Sequence, residues 1–274
     1  MAQFKSIKEG LPNELINLYP FYFLAWTTTP WTLPSNTALT IGKKIKYSFV
    51  KTYNQYTKES ITVVIATKLI DKIFSKIFYE VKTEKELDSY DTEKPNLPYL
   101  ICHEVSGKNL ENIRYERIWE ESPLPLDNPE NAFRVISGDF VTTDDGTGIV
   151  HTAPTFGADD YKAAKSAKPE VPPLQVLDKN GIKVPLVDLK GKFIDGIGLI
   201  SGKYVKNEYY ESDSIPEKSV DVEIAIRLKE LNRAFKVEKY SHSYPHCWRT
   251  DKPVLYYPME SWFIKMDSLS NRMF

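Results

Sequence analysis

Apolar positions along this chain fall into short runs, each closed by a break rich in Pro, Gly or Asn. Phe21–Trp26 (FYFLAW) predicts a buried strand that runs into Thr27–Asn36 (TTTPWTLPSN), where Pro30 and Pro34 argue against a regular helix or a central strand. Tyr47–Thr52 and Ser60–Ala66 alternate around the polar loop Asn54–Glu59 and predict a hairpin. Thr67–Phe78 carries apolar residues at helical spacing, and 83–97 reads as a charged loop. Tyr99–Glu104, Asn112–Trp119, Phe133–Ile136 and Phe140–Thr143 predict short strands, and Asp145–Val150 (DGTGIV) is a glycine turn entering a strand that delivers His151. Gly157–Lys165 predicts a short helix with acids in its first turn. Leu174–Leu177 and Ile182–Val187 flank an Asn-Gly hairpin turn. Ser219–Asn232 predicts a helix with Val222, Ala225, Ile226 and Leu228 on its apolar face. Residues 1–20 add one short apolar pattern. Many short strands with about three helices are neither a βαβ alternation nor a bundle. The pattern predicts an α+β fold, a β-barrel-like core of short strands with peripheral helices.

Composition narrows the class. The 274 residues are 42% hydrophobic and 27% charged, with 5 Trp, 17 Tyr and 13 Phe, which suits a folded chain of one large domain or one domain plus an appendage. A net charge of -1, from 36 basic and 37 acidic residues, provides no global field to hold nucleic acid, so any RNA contact has to be local. Two distant cysteines, Cys102 and Cys247, make no disulfide scaffold and suit a reducing compartment. No apolar run approaches a membrane span, and the expectation is a cytoplasmic protein without a membrane partner.

Two segments hold candidate chemistry. In Thr27-Thr28-Thr29-Pro30-Trp31-Thr32, hydroxyls at a strand end can hold a carbonyl, a ribose hydroxyl or a water without bringing charge. The plain alternative is a β-branched strand that breaks at a proline. In Asp145–Tyr161 (DGTGIVHTAPTFGADDY), His151 is placed to orient a water or polarise a carbonyl, and Asp160 to pair with a cationic group. A structural histidine and helix-capping acids are the plain readings there. His242, His246 and Cys247 cluster in sequence without a paired Cys-x-x-Cys, so no metal site is expected. Cys102 and His103, adjacent on a strand, face opposite sides and make a poor nucleophile pair.

Taken together, the segments resemble one family. Trp26–Asn36 (WTTTPWTLPSN) resembles the threonine-rich motif of the isoleucyl-tRNA synthetase editing domain. Gly146–Tyr161 resembles its second signature, and Tyr244–Arg249 (YPHCWR) and Ser261–Phe263 (SWF) resemble the segment returning to the catalytic core. The sister valyl and leucyl enzymes carry a Thr-Thr-Arg-Pro form, whereas position 29 here is Thr. The resemblance implies an editing domain over 1–237 and a connecting segment over 238–274. It assigns Thr27, Thr28 and Thr29 to the pocket for the terminal adenosine and the water, Trp31 to its wall and Asn36 to its supporting loop. His151 would contact the amino acid and help exclude isoleucine, and Asp160 would bind the α-ammonium. Some members bind zinc with paired Cys motifs. Here Cys247-Trp248-Arg249-Thr250 lacks the final cysteine and a partner pair, which argues against zinc. No His-Ile-Gly-His or Lys-Met-Ser-Lys-Ser string is present, so no amino-acid activation is expected.

The implied activity is hydrolysis of valine from mischarged tRNA(Ile), with catalysis resting on Thr27, Thr28, Thr29 and Asp160. Partners would be the valine-bearing 3′ end of tRNA(Ile) and the rest of a parent synthetase, with a monomer as the default state. No cofactor is expected in this segment, although the parent enzyme would use ATP and Mg. Two other classes stay open: a tRNA-binding module without turnover, and a free-standing small-ester hydrolase.

Overall fold

A computed structural model describes residues 20–241 and 243–259, with positions 2, 3, 15, 18, 262, 264 and 266. Most of the apolar pattern expected over 1–20 lies outside the described residues, as do His242, Ser261 and Phe263. Among the described residues, eleven strands form three sheets: β1 (Ala2–Gln3), β2 (Phe21–Phe23), β3 (Ala38–Ile41), β4 (Lys46–Tyr53), β5 (Ser60–Ala66), β6 (Phe78–Glu80), β7 (Leu97–Ser106), β8 (Arg134–Ser137), β9 (Ile149–Thr152), β10 (Val176–Leu177) and β11 (Lys183–Val184). The helices are α1 (Ile70–Ile73), α2 (Glu84–Asp88), α3 (Ala158–Ser166) and α4 (Val220–Glu230), with short 3₁₀ turns between elements.

The α+β expectation holds, but the core is not a barrel. The described strands make open sheets with the orders β1-β2-β5-β4-β7-β6, β8-β3-β9 and β10-β11. The β4–β5 hairpin is the centre of the first sheet, paired antiparallel from Tyr47–Ala66 to Tyr53–Ser60. From Ile61 onward β5 is buried throughout, because β2 and β4 flank it and both faces are covered. Phe21, Phe23 and Phe49 meet edge to face at 5.0–5.7 Å in the core. Strand β7 skips Cys102 against β4, with Phe49 opposite His103 and Val50 opposite Ile101, a bulge that the alternating pattern does not reveal.

Several expectations need correction. The expected helix Thr67–Phe78 stops at Ile73. Lys76 takes a φ of 62°, and Phe74 and Phe78 turn inward to pack at 5.0 Å, so Phe78 starts a strand instead. The charged stretch 83–97 contains α2, started by a capping box between Thr83 and Glu86. Asn112–Trp119 is no strand: Asn112 has φ 65°, and the segment pairs with β8 through isolated bridges such as Arg114 to Arg134. Phe140–Thr143 is turn and loop. The two prolines do not prevent a helix of another kind. Pro30–Ser35 is a 3₁₀ helix, which accepts Pro30 at its start because the first N–H groups have no internal partner anyway.

Helix α4 forms where expected, but of the expected face only Leu228 is fully buried. Val220, Ile224 and Leu228 are buried at i, i+4, i+8, whereas Val222 and Ile226 are exposed. Both stripes are apolar, and only the packing partners choose between them. Helix α3 lays Ala163 and Ala164 on Ala38 and Ile136 of the small sheet, a contact that small side chains allow to be close. Among the described residues no helix is long and apolar enough to cross a membrane.

The turn before β9 requires glycine. Gly148 has φ +74°, a Cβ there would lie 2.4 Å from the Ala66 Cβ, and the Tyr47 hydroxyl donates to the Gly148 carbonyl at 2.6 Å. Gly148→Ala is expected to lower unfolding stability by about 2 kcal/mol or more, from strain and overpacking together. Urea denaturation of both proteins checks this; an unchanged midpoint would refute it.

Candidate active site

Strand β9 holds the threonine-rich segment at both ends. The Trp26 N–H donates to the Ile149 carbonyl at 3.0 Å, and the Thr37 N–H donates to the Thr152 carbonyl at 3.1 Å. The sequence separates these two motifs widely, and the small sheet joins them, with Leu39 of β3 opposite His151 of β9.

The hydroxyls form a graded series. Thr27 Oγ1 accepts the Thr29 N–H at 3.0 Å and lies 3.4 Å from Thr29 Oγ1. Thr29 Oγ1 is 3.5 Å from Thr32 Oγ1, at the outer limit of a hydrogen bond. Thr27, Thr28 and Thr29 are half-buried, and the Thr28 hydroxyl has no protein partner among the described residues. The segment therefore presents neutral groups that both donate and accept.

His151 is buried at 5% exposure, and its tautomer follows from its neighbours. Thr32 Oγ1 donates its hydrogen to the Thr29 carbonyl at 2.8 Å, so at 3.0 Å it accepts from His151 Nε2–H. Asn36 Nδ2 donates to His151 Nδ1 at 2.9 Å. The amide is itself fixed, because the buried Tyr115 hydroxyl donates to Asn36 Oδ1 at 2.6 Å and Asn36 Nδ2 also donates to the Ala38 carbonyl at 2.8 Å. A proton on Nδ1 would face the Asn36 amino group. Burial pushes the His151 pKa down to about 3, so the ring is neutral at physiological pH and is no proton carrier. Both ring nitrogens have protein partners, so an amino acid would meet its carbon edge.

Asp160 differs in kind. It stands in the first turn of α3 and accepts the Ala153 N–H at 2.8 Å, which ties it two residues beyond His151. Its carboxyl lies so near Gly157 that a Cβ there would come within 2.8 Å. No cation pairs with it among the described residues; the neighbouring Asp159 takes Lys162. Burial pushes its pKa up to about 6, with Asp159 adding to the rise and the Ala153 N–H opposing it. No hydrogen bond joins Asp160 to the threonines among the described residues. The link between them is β9 itself.

Trp31 is buried at 2% exposure, with its ring 5.1 Å from Phe156, and thus backs the segment from inside the core. Thr32 was named in the candidate hydroxyl segment without a role of its own, and Tyr115 was not singled out by sequence. Thr32 had a signal, three positions after Thr29 as a 3₁₀ turn requires, whereas nothing local marks Tyr115. Cys102 is half-buried, and burial raises its pKa, which disfavours a thiolate nucleophile. Among the described residues no group of three His, Cys, Asp or Glu side chains is placed to hold a metal ion.

No family model matches the chain. Curated relatives do. An isoleucine–tRNA ligase of Cytophaga hutchinsonii is 49% identical over 92% of this chain, and one of Bacteroides fragilis is 47% identical over 100% of it. The chain is homologous to a segment of isoleucine–tRNA ligase. It spans about a quarter of the length of these relatives, 23% and 24% respectively. A more distant one from Clostridium tetani is 39% identical over 92% of this chain and 19% of its own length. The solved structure described as the crystal structure of GlLeuRS-CP1 aligns over 56% of this chain and 48% of its own, at 19% identity and a TM-score of 0.36. The resemblance to isoleucine–tRNA ligase drawn from the sequence agrees with these curated relatives.

Two outcomes follow from the geometry. Imidazole nitrogen NMR is expected to show His151 as the neutral Nε2–H tautomer throughout pH 5–8; a titration in that window would refute the locked ring. Because the Asp160 pKa is raised in the folded state, its ionised form costs stability above about pH 6, and the cost disappears as pH falls towards the unfolded value of 3.8. Asp160→Asn is expected to raise stability at pH 7–8 by on the order of 1–2 kcal/mol, with the gain gone near pH 4. Thermal melts at both pH values check this, and a gain that persists at low pH would contradict it.

Proposed function

We propose that the chain is the editing module of an isoleucine–tRNA ligase and hydrolyses the ester of valine mischarged onto tRNA(Ile). The observation that carries this reading is a half-buried carboxylate with no cation partner among the described residues, Asp160, tied to the strand that also holds three hydroxyl side chains and a neutral histidine. A substrate with one positive charge and an uncharged reacting ester suits that arrangement.

In this reading a water attacks the ester carbonyl. The acyl–oxygen bond breaks, the ribose oxygen takes up a proton, and free valine and tRNA leave. The ester is activated, so no covalent nucleophile is needed. Thr27, Thr28 and Thr29 would hold the terminal adenosine and the water. Asp160 would fix the α-ammonium by a charge-assisted hydrogen bond worth on the order of 1.5–3 kcal/mol. The carbon edge of His151 would narrow the space beside the side chain. A missing methylene yields only about 1–3 kcal/mol of discrimination, a limit for which the isoleucine enzyme is itself a known illustration, so a second, smaller pocket that rejects isoleucine adds what the first lacks. The rest of the parent synthetase and the tRNA body would be the partners, in the cytoplasm.

The deciding experiment mixes the chain with valyl- and isoleucyl-tRNA(Ile) and follows deacylation. Selective loss of valine is expected, and Asp160→Ala is expected to slow it by roughly tenfold or more. Binding of a non-hydrolysable valyl-adenosine analogue is expected to weaken as pH falls through about 6, where the Asp160 carboxylate takes up its proton. Wild-type turnover by Asp160→Ala would refute the ammonium role. Analogue binding without any turnover would favour a binding module instead.

A further inference from the structure

The threonine-rich segment is anchored to β9 at its ends, but its middle has a separate support. Pro30 has no N–H, so the first donor inside the Pro30–Ser35 helix is the Trp31 N–H. Its acceptor comes from the far end of the chain. Asp221 Oδ1 takes it at 2.8 Å across a separation of 190 residues. Asp221 stands in the first turn of α4, yet α4 is already capped by Ser219, whose side chain accepts the Val222 N–H. The carboxylate is therefore free to cap another helix. Its other oxygen lies 3.5 Å from Lys206 Nζ, and both side chains are largely shielded, at 28% and 17% exposure. The Lys206 ammonium in turn sits 4.8 Å from the centre of the Tyr244 ring.

The Pro30–Ser35 helix has Thr29 as its N-cap and Thr32 as its third residue. Its pitch sets the 2.8 Å bond from Thr32 to the Thr29 carbonyl and the 3.0 Å contact from Thr32 to His151. A helix of one or two 3₁₀ turns with a proline at its start has little internal hydrogen bonding to hold that pitch. We propose that Asp221 is a positioning residue of the site: by capping the Trp31 N–H from outside, it fixes the 3₁₀ helix and with it the placement of the Thr29 and Thr32 hydroxyls. This inference rests on the editing reading for its catalytic consequence, while the cap itself does not.

The test compares Asp221→Ala with Asp221→Asn in the 274-residue chain. Asn keeps an acceptor for Trp31 and gives up the charge facing Lys206; Ala removes both. Amide hydrogen exchange at Trp31 is expected to be about tenfold faster or more in Asp221→Ala and close to wild type in Asp221→Asn, with the amides of β4 and β5 unchanged in both. In valyl-tRNA(Ile) deacylation, Asp221→Ala is expected to lose roughly tenfold or more in kcat with KM within about twofold. Asp221→Asn should stay within about threefold of wild type. Equal Trp31 exchange in Asp221→Ala and wild type overturns the cap. Faster exchange with unchanged kcat overturns the positioning role alone. A wild-type chain that neither deacylates nor binds the valyl-adenosine analogue removes the editing reading and the positioning role with it.

Discussion

A neutral imidazole has one N–H and one lone pair, and at His151 both are committed. The N–H goes to Thr32 and the lone pair receives Asn36, so one buried ring joins the threonine segment to β9. The arrangement holds only while the ring stays uncharged. Desolvation keeps it so, because among the described residues no carboxylate is near enough to repay the charge. Tyr115 then fixes the Asn36 amide, and the chain of donors runs from a core tyrosine through Asn36, His151 and Thr32 to the Thr29 carbonyl. The orientation of every member is determined by the next, which is how a cluster without any formal charge can still hold a defined shape.

Asp160 is the counterpart to that neutrality. The fold brings it within reach of the β9 end by packing Ala163 and Ala164 of α3 onto Ala38 and Ile136, and among the described residues leaves the carboxylate without a cation. Natural folds usually pair such a group, and leaving it unpaired costs stability. A ligand bringing a positive charge would recover that cost on binding. The site thus combines a rigid neutral part with a single unsatisfied charge, and the two meet only through one strand.

The supports of the site come from opposite ends of the chain. Residues 26–37 are held by β9 from one side, by Tyr115 from a loop and by Asp221 from α4. The same α4 brings Asp221 next to Lys206, whose ammonium lies over Tyr244 in the segment expected to lead back to a parent enzyme. Contacts of high sequence separation therefore carry the geometry, while local propensity supplies the pieces.

The sequence by itself determined the pieces whose signal is local. The β4–β5 hairpin was legible because two alternating runs flank a polar loop, α3 because acids mark its first turn, α4 because its apolar residues recur at helical spacing, and the two motifs because their strings are specific. Tertiary structure decided what depends on partners. It chose Val220, Ile224 and Leu228 over Val222 and Ile226 as the inner face of α4, since both stripes are apolar and only neighbours distinguish them. It ended α1 at Ile73 so that Phe74 and Phe78 could enter the core, and left the described strands as open sheets where a barrel-like core was expected. It locked the tautomer of His151, raised the pKa of Asp160 and lent Asp221 to a helix that lies far away in sequence. Protonation and hydrogen-bond roles are set by burial and by which groups meet across the fold, and neither is written in the spacing of residues along the chain.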